Sequence, residues 1–355
     1  DMLRFTFPYL LFVSLTALAG GILNTYQRFA APAFAPVLLN VVLIVFAAFV
    51  APTFEQPGVA LAVGVFCAGL VQLGFMLPFL ARLGVLPRPR WGAAHEGVRR
   101  IMRLMAPAVF GSSVAQINIL FDTLIASFLA TGSISWLYYS DRLMEFPLGV
   151  FGIALATVIL PNLSRQHAAD APEAFAATLD WACRLVLLIA LPAAVGLAVL
   201  AGPMLTTIFY GGAFGIDDVR MATLSLVTYS LGLLGFTLIK ILAPGYFARQ
   251  DTRSPVRIGV IALLVNMLLN VLFVVPWVRA GWAGPHAGLA LATSLAAFLN
   301  AGLLFRGLLR AGVWRARPGW RRLFLQAGVS AAIMAMLLQQ FVPDLPRWFE
   351  VCLLY

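Results

Sequence analysis

The sequence predicts an all-α protein, a polytopic transmembrane helix bundle. Hydrophobic residues make up 62% of the chain and charged residues only 11%, far outside the composition of soluble globular domains. Apolar stretches of the roughly 20 residues that span a bilayer follow one another with short connections between them. Arginine is concentrated in alternate connections, as expected for loops on one side of a membrane. Little of the chain is left for a soluble domain.

Ten stretches are predicted to cross the membrane, with boundaries good to a few residues. They are 7–27, 33–52, 58–81, 101–130, 134–161, 175–201, 219–246, 256–277, 284–305 and 322–342. The chain opens at Asp1 without an initiator methionine, and it stops at Tyr355 within another apolar stretch. We therefore expect an internal fragment of a longer protein.

The arginines orient these predicted spans. One set of connections holds Arg28, Arg82, Arg88, Arg90, Arg99, Arg100, Arg103, Arg165, Arg249, Arg253, Arg257, Arg306, Arg310, Arg315, Arg317, Arg321 and Arg322. The opposite set holds Arg279 and Arg347, with Arg4 and Arg220 near helix ends, together with the acidic residues Glu55, Asp217, Asp218 and Asp344. Because Lys and Arg accumulate in cytoplasmic loops, the first predicted span runs from outside to inside.

Several classes of function are excluded by composition and motifs. The net charge of +10 does not indicate a nucleic-acid partner, because no basic run is interleaved with aromatic residues. Cys67, Cys183 and Cys352 lie in apolar stretches without a CxxC spacing, and the histidines show no zinc-binding spacing. The sequence contains no GxSxG elbow, no P-loop and no GxGxxG motif after a strand. We expect no metal site of the zinc type and no enzyme of these classes.

The predicted span 134–161 contains an arginine and a glutamate, Arg142 and Glu145. Arg142 lies about eight residues from the outer end, or roughly 12 Å deep at 1.5 Å per residue. An arginine at that depth costs on the order of 3 kcal/mol, so it should face a partner or a water-filled cavity. Glu145 shares its helix face at i, i+3, and Asp141 lies next to the face of Glu145.

Two interpretations of this charged group stay open. In one, Arg142 and Glu145 form an internal salt bridge that sets the packing of the helix. In the other, Arg142 binds an anionic substrate, Glu145 holds or releases it, and Asp141 completes the site. A planar guanidinium suits a phosphate or diphosphate well.

A second polar group is predicted from later spans. Asp122 is an intramembrane acid, Asn266 and Asn270 put two amide oxygens on one helix face at i, i+4, and Thr293 adds a hydroxyl. One carboxylate with neutral oxygens is a ligand set that Na⁺ could use. Asparagines also hold helices together in lipid by hydrogen bonds, so helix packing is the alternative.

Lys240 is the only lysine of the chain and lies about two turns from the cytoplasmic end of its predicted span. Its side chain can extend to the membrane interface, because a long aliphatic stem carries the charge. Contact with the substrate is the alternative, and Lys240 is therefore included among the candidate substrate-binding residues.

Three long stretches resemble a known family. The stretches 24–40 (NTYQRFAAPAFAPVLLN), 122–164, with its SWLYYSDRLMEFPLGVFGIALATVILPNLS core, and 243–255 (APGYFARQDTRSP) closely resemble the MurJ/MviN family of lipid II flippases. That family belongs to the wider multidrug/oligosaccharidyl-lipid/polysaccharide exporter superfamily. The resemblance runs over essentially the entire chain.

The resemblance implies a two-lobed exporter fold of fourteen helices around a central cavity. The ten predicted spans would be its fourth to thirteenth helices. Residues 1–100 would hold the remaining three helices of the amino-terminal lobe, and 101–310 the six helices of the carboxy-terminal lobe. Residues 311–355 would hold the first extra helix, half of a groove for the lipid tail, and the start of the next. The family's first three helices, with further cavity arginines, are absent from this sequence.

The resemblance also implies a function, a transporter that moves lipid II across the bacterial inner membrane by alternating access. Lipid II is the undecaprenyl-diphosphate-linked precursor of peptidoglycan. Arg142 and Glu145 match the family's RLMEfP motif, whose arginine is taken to contact the diphosphate. We expect no cofactor, with Na⁺ or the membrane potential as candidate driving force. The expected partners are lipid II, membrane lipids and the cell-wall synthesis machinery.

Three alternatives are weighed against this function. A cation-coupled multidrug antiporter of the same superfamily would need an acid-dominated cavity, which Arg142 argues against. An enzyme acting on polyprenyl phosphates would need a cluster of acids or histidines at one membrane face, and the outer connections offer few. A structural scaffold has no evident use for costly intramembrane charges.

Overall fold

The computed structural model describes residues 2–26, 28–86, 96–314, 317–342 and 348. These residues form helices and turns without a β-sheet, and the only β-bridge among them joins Gly211 and Phe214. Of the described helices, nine are long and apolar enough to cross a membrane. The predicted polytopic all-α fold is therefore confirmed.

Thirteen α-helices follow one another along the described chain. They are α1 (Met2–Thr6), α2 (Tyr9–Thr25), α3 (Ala30–Val45), α4 (Pro57–Arg82), α5 (Glu96–Ser127), α6 (Ser133–Pro147), α7 (Ala154–Ala168), α8 (Pro172–Val199), α9 (Ala201–Phe209), α10 (Ile216–Phe247), α11 (Arg253–Arg279), α12 (His286–Arg310) and α13 (Trp320–Phe341). π-helical turns at Phe46–Val50 and Leu148–Ile153 extend α3 and join α6 to α7. Because of the second turn, Ser133–Ala168 is one membrane-crossing element.

One predicted span differs from the nine. The stretch 101–130 lies on a single long helix, α5, some of whose side chains fall outside the described residues, and the nine spans are counted on the described residues alone. Its described part carries polar residues, among them Gln116, Asn118 and Asp122. A helix with this composition needs protein partners for its polar side chains.

The chain divides into two compact units, Asp1–Arg99 and Arg100–Tyr355. In the first unit, α2, α3 and α4 pack around a cluster that includes Leu23, Met76 and Leu80. The buried Gln72 of α4 donates a hydrogen bond to the carbonyl of Ala35, 2.9 Å away. This bond ties α4 to α3 at a buried position, where an unpaired amide would be costly.

The second unit is built around α10, which packs against α6, α8 and α12. Small residues let α10 and α12 approach closely. A Cβ on Gly232 would lie 2.8 Å from the Cα of Ser294, and one on Gly235 would lie 3.1 Å from the backbone carbon of Ala297. Close approach at small residues is a common way for helices to associate in lipid.

The helix α13 is fastened to α8 by a buried acid. Asp180, 2% exposed, accepts a hydrogen bond from the indole N–H of Trp320 and pairs with Arg184, each at 2.7 Å. Arg184 also donates to the carbonyls of Arg317 and Pro318 and lies over the Trp320 ring. We call Asp180, Arg184 and Trp320 the α13 clamp.

Candidate functional site

Arg142 and Glu145 of α6 form an ion pair in which both side chains are about half exposed. The Arg142 Nη1 and Glu145 Oε2 atoms are 2.7 Å apart, and the two side chains are 53% and 49% exposed. Arg142 also lies over the ring of Tyr138, 4.9 Å from its centroid. Tyr138 did not stand out in the sequence, although its i, i+4 spacing to Arg142 was a usable signal.

The opposite face of α6 fixes the direction in which Arg142 points. Ser140 donates a hydrogen bond to the carbonyl of Ala222 at 2.7 Å, and the Trp136 indole donates to Asp218 at 2.7 Å, so α6 is bonded twice to α10. Leu143 and Met144 are buried in the same contact. With this face held against α10, Arg142 and Glu145 remain on the open side of the helix.

The other two candidate substrate residues are not joined to this ion pair. Asp141 is half-buried, and within the described residues no hydrogen bond or ion pair connects it to Arg142. Lys240 is exposed on α10, with its Cγ 3.7 Å from the position that a Cβ on Gly152 would occupy. No ion pair of Lys240 is formed within the described part of the chain.

The second predicted group is brought together from three helices. Asn270 of α11 donates to Asp122 of α5 at 2.6 Å and to Asn266 at 3.0 Å. Thr293 of α12 lies 3.4 Å from Asp122 and accepts a hydrogen bond from Asn266 at 3.2 Å. We call Asp122, Asn266, Asn270 and Thr293, together with Asn118, the Asp122 cluster.

Asn118 is a member of this cluster that the sequence reading missed. Its amide donates to Asp122 Oδ2 at 3.2 Å, one turn along α5. The available signal was its i, i+4 spacing to Asp122. It was passed over because a neutral amide in a membrane helix is less conspicuous than a charge.

The Asp122 cluster contains oxygen atoms of the type that a small hard cation binds. The carbonyl oxygens of Asn118 and Asn270 are both buried and accept no hydrogen bond from the described residues. Buried acceptors without a donor are costly, and a cation relieves that cost. A carboxylate, two free amide oxygens and a hydroxyl are ligands of the kind that hard cations prefer.

The chain matches one family model over most of its length. Residues 1–352 match the model described as lipid II flippase MurJ. A Vibrio cholerae protein named probable lipid II flippase MurJ is 51% identical over 349 residues, covering 98% of this chain and 65% of that protein. A Haemophilus influenzae protein of the same name is 48% identical, covering 99% of this chain and 68% of that protein. The chain thus spans about two thirds of the length of these relatives.

Solved structures agree with this match. A structure described as lipid II flippase MurJ in an inward closed conformation aligns with a TM-score of 0.78 and 25% identity, covering 99% of this chain and 70% of that one. The Vibrio cholerae MATE transporter VcmN aligns with a TM-score of 0.60 and 14% identity, covering 87% of this chain, a likeness of fold alone.

Proposed function

This chain belongs to the MurJ family of lipid II flippases, and we propose that it takes part in moving lipid II across the bacterial inner membrane by alternating access. The proposed role is transport, with no covalent change of the substrate. The lipid-linked diphosphate is the proposed ligand of Arg142. Membrane lipids and the cell-wall synthesis machinery are the other proposed partners of the protein.

The observation that carries the proposal is the open ion pair of Arg142 and Glu145. Arg142 lies roughly 13 Å from the outer end of α6 by helical rise, yet its side chain is 53% exposed. A guanidinium in that position has donors left over for a diphosphate, because Glu145 and the Tyr138 ring use only part of its surface. A charge kept open at this depth favours substrate contact over a packing role.

Glu145 is proposed to compete with the diphosphate for Arg142. When the substrate leaves, the carboxylate takes the guanidinium back, so that Arg142 is never left unpaired in a region of low dielectric. Glu145 thereby weakens binding and speeds release. A transporter needs both, since a substrate that is held too tightly is not delivered.

The test is translocation of labelled lipid II by full-length protein in liposomes. Arg142→Ala is expected to lower the rate roughly 10- to 100-fold, since a charge-assisted hydrogen bond contributes about 1.5 to 3 kcal/mol. Arg142→Lys should recover only part of it, because an ammonium cannot bind the diphosphate in the planar two-point manner. Glu145→Gln should lower the lipid II concentration at half-maximal rate.

Arg220→Ala is the matched control. Arg220 is also about half exposed and also pairs at i, i+3, with Asp217 at 3.6 Å. Its loss should leave translocation near the unaltered rate. Unchanged translocation by the Arg142→Ala protein, inserted and folded, would overturn the role of Arg142.

The proposed driving force is a cation bound at the Asp122 cluster, Na⁺ being the first candidate, or else the membrane potential. Asp122→Asn keeps the size of the side chain and removes its charge. If Na⁺ drives the cycle, translocation should rise with Na⁺ in the unaltered protein and lose that dependence in Asp122→Asn. A rate that follows the membrane potential and ignores Na⁺ would select the second alternative.

The cation-coupled multidrug antiporter is not favoured. VcmN shares only its fold with this chain, at 14% identity, whereas the Vibrio cholerae relative named for lipid II is 51% identical. Arg142 would also repel the cationic drugs that such an antiporter carries.

A further inference from the structure

A crevice of about 430 Å³ opens beside the Asp122 cluster within the second unit. Its walls come from α5, α10, α11 and α12, and every lining side chain among the described residues is uncharged. Asn118, Asn266 and Thr293 of the Asp122 cluster lie at one end of the lining, and Phe247 and Pro255 lie at the other. The crevice therefore connects the cluster to the region where α10 ends and α11 begins.

The helical spacing of the lining residues gives the crevice its direction. Along α11 the walls include Val256, Gly259, Leu263 and Asn266, which recur every three or four residues and so share one face. Ten residues of helix correspond to about 15 Å. The row ends near Arg253, at the arginine-rich connection. The distribution of arginine predicts that this connection is on the cytoplasmic side.

Polar oxygens are spaced along this path. Asn300 of α12 lines the crevice two turns from Thr293, about 10 Å along the helix and on the same face. Next comes Asn118, whose amide oxygen is buried and without a hydrogen bond from the described residues. A small cation moving along the crevice would meet an amide before it reached the carboxylate of Asp122.

We propose that the Asp122 cluster exchanges its cation with the cytoplasm through this crevice, with Asn300 and Asn118 as successive oxygen contacts. This inference rests on the proposed function, because it takes a small cation as the ligand of the cluster. It adds a route, two contact residues and the side of the membrane to which the cluster is open. The net direction of flow is set by the ion gradient.

Arg253 and Arg257, in the first turns of α11, do not line this path. Arg257 is about 200° around α11 from Gly259, at 100° per residue, and Arg253 is about 120° away. Neither belongs to the walls of the crevice. Their charges can affect the entering cation only through solvent. Screening at physiological salt limits the range of that effect to about 8 Å.

Gly259 is the position for the test, because it lines the crevice and a Cβ there would have nothing within 4 Å. Gly259→Cys is made in full-length protein in which Cys67, Cys183 and Cys352 are replaced by alanine. Inverted membrane vesicles are treated with a membrane-impermeant, positively charged thiosulfonate. The modification rate is measured with and without Na⁺.

We expect Gly259→Cys to react from the cytoplasmic side and Na⁺ to slow the reaction at least threefold. The slowing should disappear when Asp122→Asn is added. Gly302→Cys is the matched control, since Gly302 also has open space around it but lines a separate apolar pocket with Phe298 and Phe324. Its reaction should not depend on Na⁺.

A blocking variant adds a second measurement. Gly259→Leu should narrow the crevice and slow the exchange of radioactive ²²Na⁺ with the cytoplasmic side about tenfold, with little change in equilibrium affinity. Gly259→Ala should exchange at nearly the unaltered rate. Both variants keep every residue of the Asp122 cluster.

The outcomes separate this route from the proposed function. Modification only from the outer side, or normal ²²Na⁺ exchange in Gly259→Leu, overturns the route while the cluster still binds Na⁺ and lipid II is still translocated. No Na⁺ binding at equilibrium overturns the route together with the Na⁺ site. Whether the protein translocates lipid II is tested separately, by the Arg142 variants.

Discussion

Asp251 shows how a single polar residue outside the membrane can start a helix. It lies between α10 and α11, and its carboxylate accepts a hydrogen bond from the backbone N–H of Ser254 at 3.0 Å. That N–H belongs to the first turn of α11, where backbone donors have no partner within the helix. The hydrogen bonds from Ser254 lower the pKa of the Asp251 carboxyl below its usual value.

The lowered pKa predicts how stability depends on pH. Because the folded protein binds the Asp251 proton less tightly than the unfolded chain, the contribution to the free energy of unfolding is complete above the unfolded pKa near 4. It is lost as the pH falls through the lower, folded pKa. Asp251→Asn should therefore lower the Tm more at pH 7 than at pH 3.

Thermal unfolding in detergent at the two pH values measures this difference. Asp170→Asn is the control, because Asp170 is an exposed aspartate at another helix connection and its backbone already has the positive φ that asparagine tolerates. It should show no such pH dependence. An Asp251→Asn deficit of equal size at pH 7 and pH 3 would contradict the prediction.

At this scale the sequence revealed residue types more readily than distances. Asp122, Asn266, Asn270 and Thr293 were singled out together, and hydrogen bonds connect them in the structure. Their proximity could not be read from the chain, because Asp122 is 148 residues from Asn270. Whether the cluster binds a cation stays a prediction.

At the scale of elements, glycine and small side chains decide how closely the helices of the second unit pack. Gly232 is the sharpest case, because an added Cβ would lie 2.6 Å from Ser294 Oγ and 2.8 Å from Ser294 Cα. The hydroxyl of Ser294 cannot simply turn away, since it donates to the carbonyl of Thr228 at 2.7 Å. The backbones of α10 and α12 would have to move apart.

Gly232→Ala is therefore expected to destabilise the protein by about 1 to 3 kcal/mol, the usual cost of overpacking. The measurement is the midpoint of thermal or denaturant unfolding in detergent. Gly302→Ala is the matched control on α12, because a Cβ there has nothing within 4 Å. It should be neutral or slightly stabilising, since alanine favours helix over glycine. Equal effects of the two substitutions would contradict the packing argument.

The α13 clamp predicts a different kind of loss. Trp320→Phe keeps an aromatic ring but removes the N–H that satisfies the buried Asp180, which should cost about 1 to 3 kcal/mol. The beginning of α13 should then open more often, and trypsin should cleave faster at Arg321 and Arg322. Trp282→Phe at the far end of α11 is the control, because Trp282 is 67% exposed. Unchanged cleavage in Trp320→Phe would show that the clamp does not hold α13.

Apolar runs predicted most helices of the described chain to within a few residues. They did not predict α9, which the sequence left in the connection after 175–201, because a short apolar segment resembles the end of the preceding span. They also did not predict the π-helical turns, because hydropathy does not distinguish one hydrogen-bonding register from another. Backbone register depends on packing, which is a property of the folded chain.

At the scale of the whole molecule, the arginine distribution sets an orientation that can be measured. Glu55 and Asp217 are predicted outside and Thr252 inside, and all three are exposed. In a cysteine-free background, Glu55→Cys and Asp217→Cys should react with an impermeant thiol reagent in intact cells. Thr252→Cys should react only after the membrane is opened. The reverse pattern would contradict the assigned orientation and would also move the mouth of the crevice to the outer side.

The π-helical turn at Leu148–Ile153 sets the angular phase between the two halves of one membrane crossing. α6, before the turn, carries Arg142, and α7, after it, packs against α8 and α10. A π turn holds about one more residue than an α turn, so deleting one residue there would restore continuous α-helix. Because the π turn fits its extra residue into about one turn, the two halves would then keep nearly the same orientation relative to each other. The same deletion in an α-helical part of this crossing would rotate the two halves by about 100° relative to each other. The direction of the Arg142 side chain thus depends on where in the crossing a residue is lost, and such a deletion would redirect the charge without altering it.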